Sequence, residues 1–249
     1  MSSSSSQHHH HHQLTSPPRP LALRPEYVAN SETILTVTNR AEPWHSLDYL
    51  VECSGQTAFT VCGQPWSLGQ RKVFNDRSGL PLFELRERWY DSSVMVLSLP
   101  GGNGSDILSA KLRVAVKSPT AVVMFKNAAF TTTTTNTTNT KGERGRGRER
   151  KRMSGARGTE EEEVRVEVFG KDLENLVQVV VVEGCFVAAI ERVTDPKELL
   201  EGQRPPFRLR PKWRVRVAAG MDLSLIAVIV VIVGGRTGGD VYSPGGVND

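Results

Sequence analysis

The sequence predicts an all-β domain, a barrel or a sandwich, and three observations carry that prediction. Apolar and polar residues alternate with period two through much of the body, as in VRVEV at 164–168, and successive side chains on a strand point to opposite faces. NDRSG at 75–79 lies between two such runs and has the chemistry of a hairpin turn. Only 3 of the 249 residues are Cys, so a disulfide framework is excluded. Hydrophobic residues at 38% and charged residues at 23% suit a globular core. No apolar run reaches the roughly 18 residues of a membrane-spanning helix.

Taken in order, Thr33 to Asn39, Leu47 to Cys53 and Ala58 to Cys62 read as short strands. Lys72 to Phe74 enters the turn at 75–79, and Leu80 to Leu85 leaves it. From Ala110 to Val116, Lys111 and Arg113 alternate with Leu112, Val114 and Val116; Ala121 to Phe125 follows. Val164, Val166 and Val168 alternate with Arg165 and Glu167. Val177 to Val182 is nearly all Val, which suits a strand with little exposed face. Phe186 to Val193 alternates less cleanly, and Phe207 to Val217 is the longest regular stretch. About ten short strands separated by Gly and Pro turns are the pattern of a β-barrel or sandwich.

The last element, LSLIAVIVVIV at 223–233, has one polar residue, Ser224. Its many β-branched residues favour a strand. A helix is the alternative, with Asp222 as its cap and Gly234 and Gly235 at its end. It would be about 16 Å long at 1.5 Å per residue, roughly half a bilayer core. Apolar on every side, such a helix would need strands wrapped around it.

Three segments stand apart. Ser2 to Ser6 and His8 to His12 bury nothing, and residues 1–19 are expected to be a disordered tail that binds a metal ion only loosely. The stretch 131–163 is expected to be an insertion: Thr and Asn, then a basic run, then Glu160 to Glu163. Residues 241–249 are expected to form a second tail. The sequence opens with no basic segment followed by an apolar one, so no secretory signal is read. An intracellular, cytoplasmic protein, peripheral at membranes if membrane-bound, is expected. Cys53, Cys62 and Cys185 would then be free thiols, Cys53 and Cys62 packing as small apolar residues. The acceptor-like Asn103 and Asn136 would remain unglycosylated.

VAAGMDLSLIAVIVVIVGG at 217–235 resembles the closing signature of the LURP-one-related proteins, which group with the tubby C-terminal-like domains. FNDRSGLPLFELRERW at 74–89 resembles their aspartate–glycine hairpin, and VFGKDLENLVQVVVVEGCFVAAIERV at 168–193 fits in order and spacing. The resemblance covers roughly residues 20–240 without the insertion. It implies a twelve-stranded antiparallel barrel around a central, buried, hydrophobic C-terminal helix, and so favours the helix at 223–233.

Net charge is +4, and its placement matters more than its size. In FRLRPKWRVRV, Arg208, Arg210, Lys212, Arg214 and Arg216 occupy every second position, with Phe207, Leu209, Pro211, Trp213, Val215 and Val217 between them. On a strand this puts five cations on one face. Arg grips phosphate with two donors, so the stripe is a candidate site for acidic phospholipid headgroups. The resemblance to tubby-type domains, which bind phosphoinositides, points the same way. The plainer alternative is a solvated outer face whose cations pair with acids such as Glu167. Lys111, Arg113 and Lys117 are candidates to extend the patch. A secondary basic patch, Arg144, Arg146, Arg148, Arg150, Lys151 and Arg152, lies in the insertion; it is a candidate nucleic-acid or membrane contact, or merely a solvated linker.

Catalysis is not expected. His45 is the sole histidine outside the tract, with Ser46 and Asp48 close only in sequence. GGNGSD at 101–106 lacks a phosphate-loop lysine and reads as a turn. Asp76 to Gly79 lacks the distal ligands of a calcium loop. No cofactor and no structural metal is expected. The leading reading is a non-enzymatic binding module for acidic lipid headgroups. Its rivals are a protein–protein adaptor barrel without lipid affinity, and weak nucleic-acid binding through the insertion.

Overall fold

The computed structural model describes residues 13–40, 48–64, 67, 70–101, 105–113, 120–129, 162–171, 176–200 and 210–237. Its strands are β1 (Thr33–Asn39), β2 (Tyr49–Cys53), β3 (Gln56–Gly63), β4 (Lys72–Asp76), β5 (Pro81–Arg88) and β6 (Asp91–Ser98). The second half holds β7 (Asp106–Leu112), β8 (Ala121–Lys126), β9 (Glu163–Gly170), β10 (Val177–Val182), β11 (Cys185–Arg192) and β12 (Lys212–Val217). Each strand pairs antiparallel with its neighbours in sequence, and β1 pairs with β12, so the sheet closes into a barrel of twelve strands. Closure leaves no unpaired edge.

Alternation fixes which side faces in. On β9, Val164, Val166 and Val168 are buried and Arg165 is exposed. Val179, Val180 and Val182 of β10 are all buried, as its near-continuous valines predict. The hairpin at 75–79 forms as read: Asp76 N–H donates to Leu80 O at 2.9 Å, and Asp76 Oδ1 accepts from Ser78 N at 2.8 Å and Leu80 N at 2.9 Å. These bonds, that from the Ser78 hydroxyl foremost, hold the Asp76 carboxyl below its ordinary pKa. Gly79, at φ +86°, provides the left-handed residue.

Strand β6 was not expected. It opens DSS and then buries four consecutive residues, Met95 to Ser98, so no period-two signal marks it. Strand β7 begins at Asp106 rather than Ala110. Two expected boundaries also move. Glu163 opens β9 rather than closing the insertion. Residues 13–19 are not a tail: Pro17 is buried, Thr15 N–H donates to Phe186 O at 2.8 Å, and Arg19 ion-pairs with Glu162 and Glu183.

Helix α2 spans Leu223–Thr237. Asp222 caps it as expected, its Oδ1 accepting from Ser224 N at 2.6 Å and Ser224 Oγ at 2.7 Å. Its Oδ2 accepts from Leu23 N and Arg24 N, each at 2.9 Å. One fully buried carboxylate thus joins the helix start to the N-terminal segment 20–30. Burial pushes its pKa above the ordinary Asp value, against the pull of these hydrogen bonds. Residues Leu225 to Val233 are all buried and share one apolar cluster with the inward-facing strand residues. Gly234 and Gly235 do not end the helix, which continues to Thr237. At Gly234 an added Cβ would lie 2.8 Å from Trp213 Cζ2, so the glycine serves close packing instead.

The antiparallel order gives the barrel two distinct ends. At the lower end β12 hands over to α2, and segment 20–30 crosses it with Leu21, Ala22 and Leu23 buried. Asp222 N–H donates there to Leu21 O at 3.0 Å, and Ala29 N–H to Met221 O at 2.9 Å. At the upper end α2 packs on Trp213 and lies beside Tyr49, the first inward residues of β12 and β2.

Candidate anion-binding face

Strand β12 alternates as the sequence predicts: Trp213, Val215 and Val217 are buried, Arg214 is exposed, and Lys212 and Arg216 are half-buried. The neighbours are β11 and β1, with Arg214 opposite Glu191 on one side and Thr36 on the other. Arg216 lies opposite Ala189 and Ile34. The outer face therefore brings Lys212, Arg214 and Arg216 together in a row, with Arg210 just before the strand. Arg208 lies outside the described residues.

These cations have carboxylate company, though not the one expected. A short helix α1 (Pro196–Leu200) carries Glu198, whose Oε1 is 2.7 Å from Arg214 Nη2 and 4.0 Å from Lys212 Nζ. Glu32, before β1, is 2.8 Å from Arg216 Nη2. Glu167 instead pairs with Arg165, at 2.7 Å on its own strand β9. With Glu191 opposite Arg214, three carboxylates face the four cations Arg210, Lys212, Arg214 and Arg216, and one positive charge is left in excess. Arg210 Nε is buried without a hydrogen-bond partner among the described residues. Exposed ion pairs of this kind contribute at most about 1 kcal/mol, so a polyanion can displace them.

The carboxylates were the missed part, and the sequence carried a signal for one. TDPKELL at 194–200 places Asp195 before a proline at the first helical position, a helix-start pattern. Asp195 Oδ1 accepts from Lys197 N at 2.9 Å, which orients α1 over β12. Glu32 is 184 residues from Arg216 and had no local signal.

The remaining candidates are dispersed. Lys111 and Arg113 do not extend the stripe, because β7 is five strands from β12 around the barrel. Lys117, the patch Arg144, Arg146, Arg148, Arg150, Lys151 and Arg152, and His45 with Ser46 lie outside the described residues. Asp48 Oδ1 accepts from Gly63 N at 2.7 Å and so braces two strand ends. Cys53, Cys62 and Cys185 are free. Cys53 and Cys185 pack against the core, but Cys62 is exposed on β3, contrary to expectation, because Val61 and Phe59 take the inward positions. Burial and, secondarily, Asp48 raise the Cys62 thiol pKa. Among the described residues no three His, Cys, Asp or Glu side chains could hold a metal ion, and no helix is long and apolar enough to cross a membrane.

Fold and site together define a closed, antiparallel, twelve-stranded β-barrel protein with a basic outer strand. The chain is similar to an Arabidopsis thaliana protein known from its X-ray structure, with a TM-score of 0.53 and 17% identity, over 87% of this chain and 98% of that one. That likeness establishes the barrel fold alone. No protein-family model and no curated protein matches the sequence.

Proposed function

We propose that this chain is a non-enzymatic binding module of the tubby-like type, with α2 as the barrel's central helix, that recognises acidic phospholipid headgroups. Support for the central helix comes from its burial on all sides and from its two ends, one at Asp222 below and one at Trp213 above. The observation that carries the binding reading is the outer row of β12, in which the four cations Arg210, Lys212, Arg214 and Arg216 share a face with three carboxylates, Glu198, Glu32 and Glu191. Bidentate guanidinium groups on a rigid strand suit closely spaced phosphates. Phosphoinositide is the most demanding form of that ligand, because it presents several phosphates at once.

The test is co-sedimentation of the full chain with phosphatidylcholine vesicles, plain or doped with a phosphoinositide, at near-physiological salt. Arg210→Ala/Arg214→Ala runs alongside. Selective pelleting that the double substitution abolishes supports the strand as the site. Equal pelleting of both proteins moves the site off β12. No pelleting on acidic vesicles overturns the lipid reading and leaves a protein–protein adaptor.

A further inference from the structure

The hairpin joining β5 to β6 has a two-residue tip, Trp89 and Tyr90. Tight hairpins select Gly, Asn or Asp, and these two bulky aromatics serve neither the turn nor the core. Trp89 is 89% exposed and Tyr90 62%. Their rings meet edge to face, centroids 5.4 Å apart at 86°. The tip is held in place: Arg88 Nη1 donates to Tyr90 Oη at 2.8 Å, and its guanidinium lies 5.8 Å from the Tyr90 ring centre.

The tip has basic flanks. Arg86 and Arg88 on β5 share one carboxylate, Asp106, at 3.9 and 3.2 Å. Lys111 and Arg113 are exposed along β7, Lys111 directly opposite Val94 of β6. Neither has an ion pair or hydrogen-bonded side chain among the described residues. These are the cations that fail to join the β12 stripe, and they lie on the far side of the barrel from it.

Both basic regions reach one end. The tip, Arg113 and Lys212 all sit at the upper end, where β1–β2, β3–β4, β5–β6, β7–β8, β9–β10 and β11–β12 connect. The lower end is already crossed by segment 20–30.

We infer that the protein docks end-on, upper end first, on an anionic bilayer, with the Trp89–Tyr90 tip lodged in the headgroup layer. Trp and Tyr favour that layer because each pairs an apolar ring with a polar handle. Arg86, Arg88, Lys111 and Arg113 supply attraction to the anionic surface, which weakens as salt rises. The inference rests on the lipid reading above but places the anchor on a different part of the surface.

The experiment uses the full chain and Trp89→Phe, each titrated with phosphatidylcholine vesicles with and without phosphatidylserine. The difference between their emission spectra isolates Trp89 from the other three tryptophans. We expect that difference spectrum to shift blue on anionic vesicles and to be quenched by lipids brominated near the headgroup. Trp89→Ala/Tyr90→Ala should weaken vesicle binding about tenfold or more, equivalent to at least about 1.4 kcal/mol. If the chain pellets with acidic vesicles while the Trp89 signal stays as in buffer, the end-on geometry is overturned and the lipid reading stands. If it pellets with no acidic vesicle, both fall. Binding to an acidic polynucleotide but to no vesicle likewise overturns both.

Discussion

Replacing Asp222 by Asn tests whether one buried carboxylate holds the two ends of the chain together. Asparagine caps helices about as well as aspartate, so the Ser224 side of the site keeps its acceptor. The other oxygen becomes an NH2 that faces two donors, Leu23 N–H and Arg24 N–H, each 2.9 Å from Oδ2 in the native protein. An unsatisfied buried donor costs roughly 1–3 kcal/mol. Leu23 N–H is buried and bears the full penalty, while Arg24 N–H is partly exposed and bears less. The sum is roughly 2–4 kcal/mol, a large share of the 5–15 kcal/mol typical of a domain. At about 2–4 °C per kcal/mol for a domain of this size, Tm falls by roughly 5–15 °C. Thermal unfolding by circular dichroism reads that number. Amide hydrogen exchange over residues 20–30 should show lost protection there before the barrel opens. An unchanged Tm with segment 20–30 still protected would refute the reasoning.

Further predictions follow from the same packing. Gly234→Ala should lower stability by roughly 1–2 kcal/mol, because overpacking against Trp213 outweighs the gain in helix propensity; Trp213→Phe in the same chain should recover part of the loss, and additive effects in denaturant titrations would argue against the contact. Lys72 is buried beside Phe74, and burial lowers its pKa, opposed by Glu87. Lys72→Met should therefore raise stability at neutral pH by roughly 1–2 kcal/mol. The folded protein releases the Lys72 proton at lower pH than the unfolded chain, so wild type should close that gap as pH rises toward 10.5; a gap that widens would contradict this. A chain ending at Gly220 loses the nine buried residues Leu225–Val233, worth of order 15 kcal/mol in transfer free energy, and should be insoluble. A soluble, cooperatively unfolding truncation would count against α2 as the barrel's core.

Period-two patterning made most strands legible, because a strand with one wet face writes its burial into every second residue. VRVEV and KWRVRV show this, and each lies in the structure as read. Strand β6 escaped because Met95 to Ser98 are buried on both faces, which erases the alternation. The helix at 223–237 was ambiguous in propensity, since valine and isoleucine favour strands; its packing in one apolar cluster with inward-facing strand residues overrides that preference. For the site, the cations were legible and the carboxylates were not. Glu198 reaches Arg214 from a helix made in the β11–β12 connection, and Glu32 reaches Arg216 across the closing seam of the barrel. The basic flank at Lys111 was visible in sequence, but its distance from β12 is a property of strand order alone.

The seam has a consequence for how the chain comes off the ribosome. Eleven of the strand pairings join neighbours in sequence, so each can form as its second strand emerges. The twelfth, β1 with β12, and the bond from Leu23 to Asp222 span 199 residues in the case of the latter. Until β12 is synthesised, β1 to β11 can form only a growing open sheet whose inner valines and phenylalanines are not enclosed. Nearly the whole polypeptide is therefore made in an aggregation-prone form and becomes safe in one late step. If α2 (Leu223–Thr237) fills the barrel as proposed, it acts as a built-in completion check: a nascent chain that stops short of it exposes its inward-facing residues to the cell's quality-control machinery.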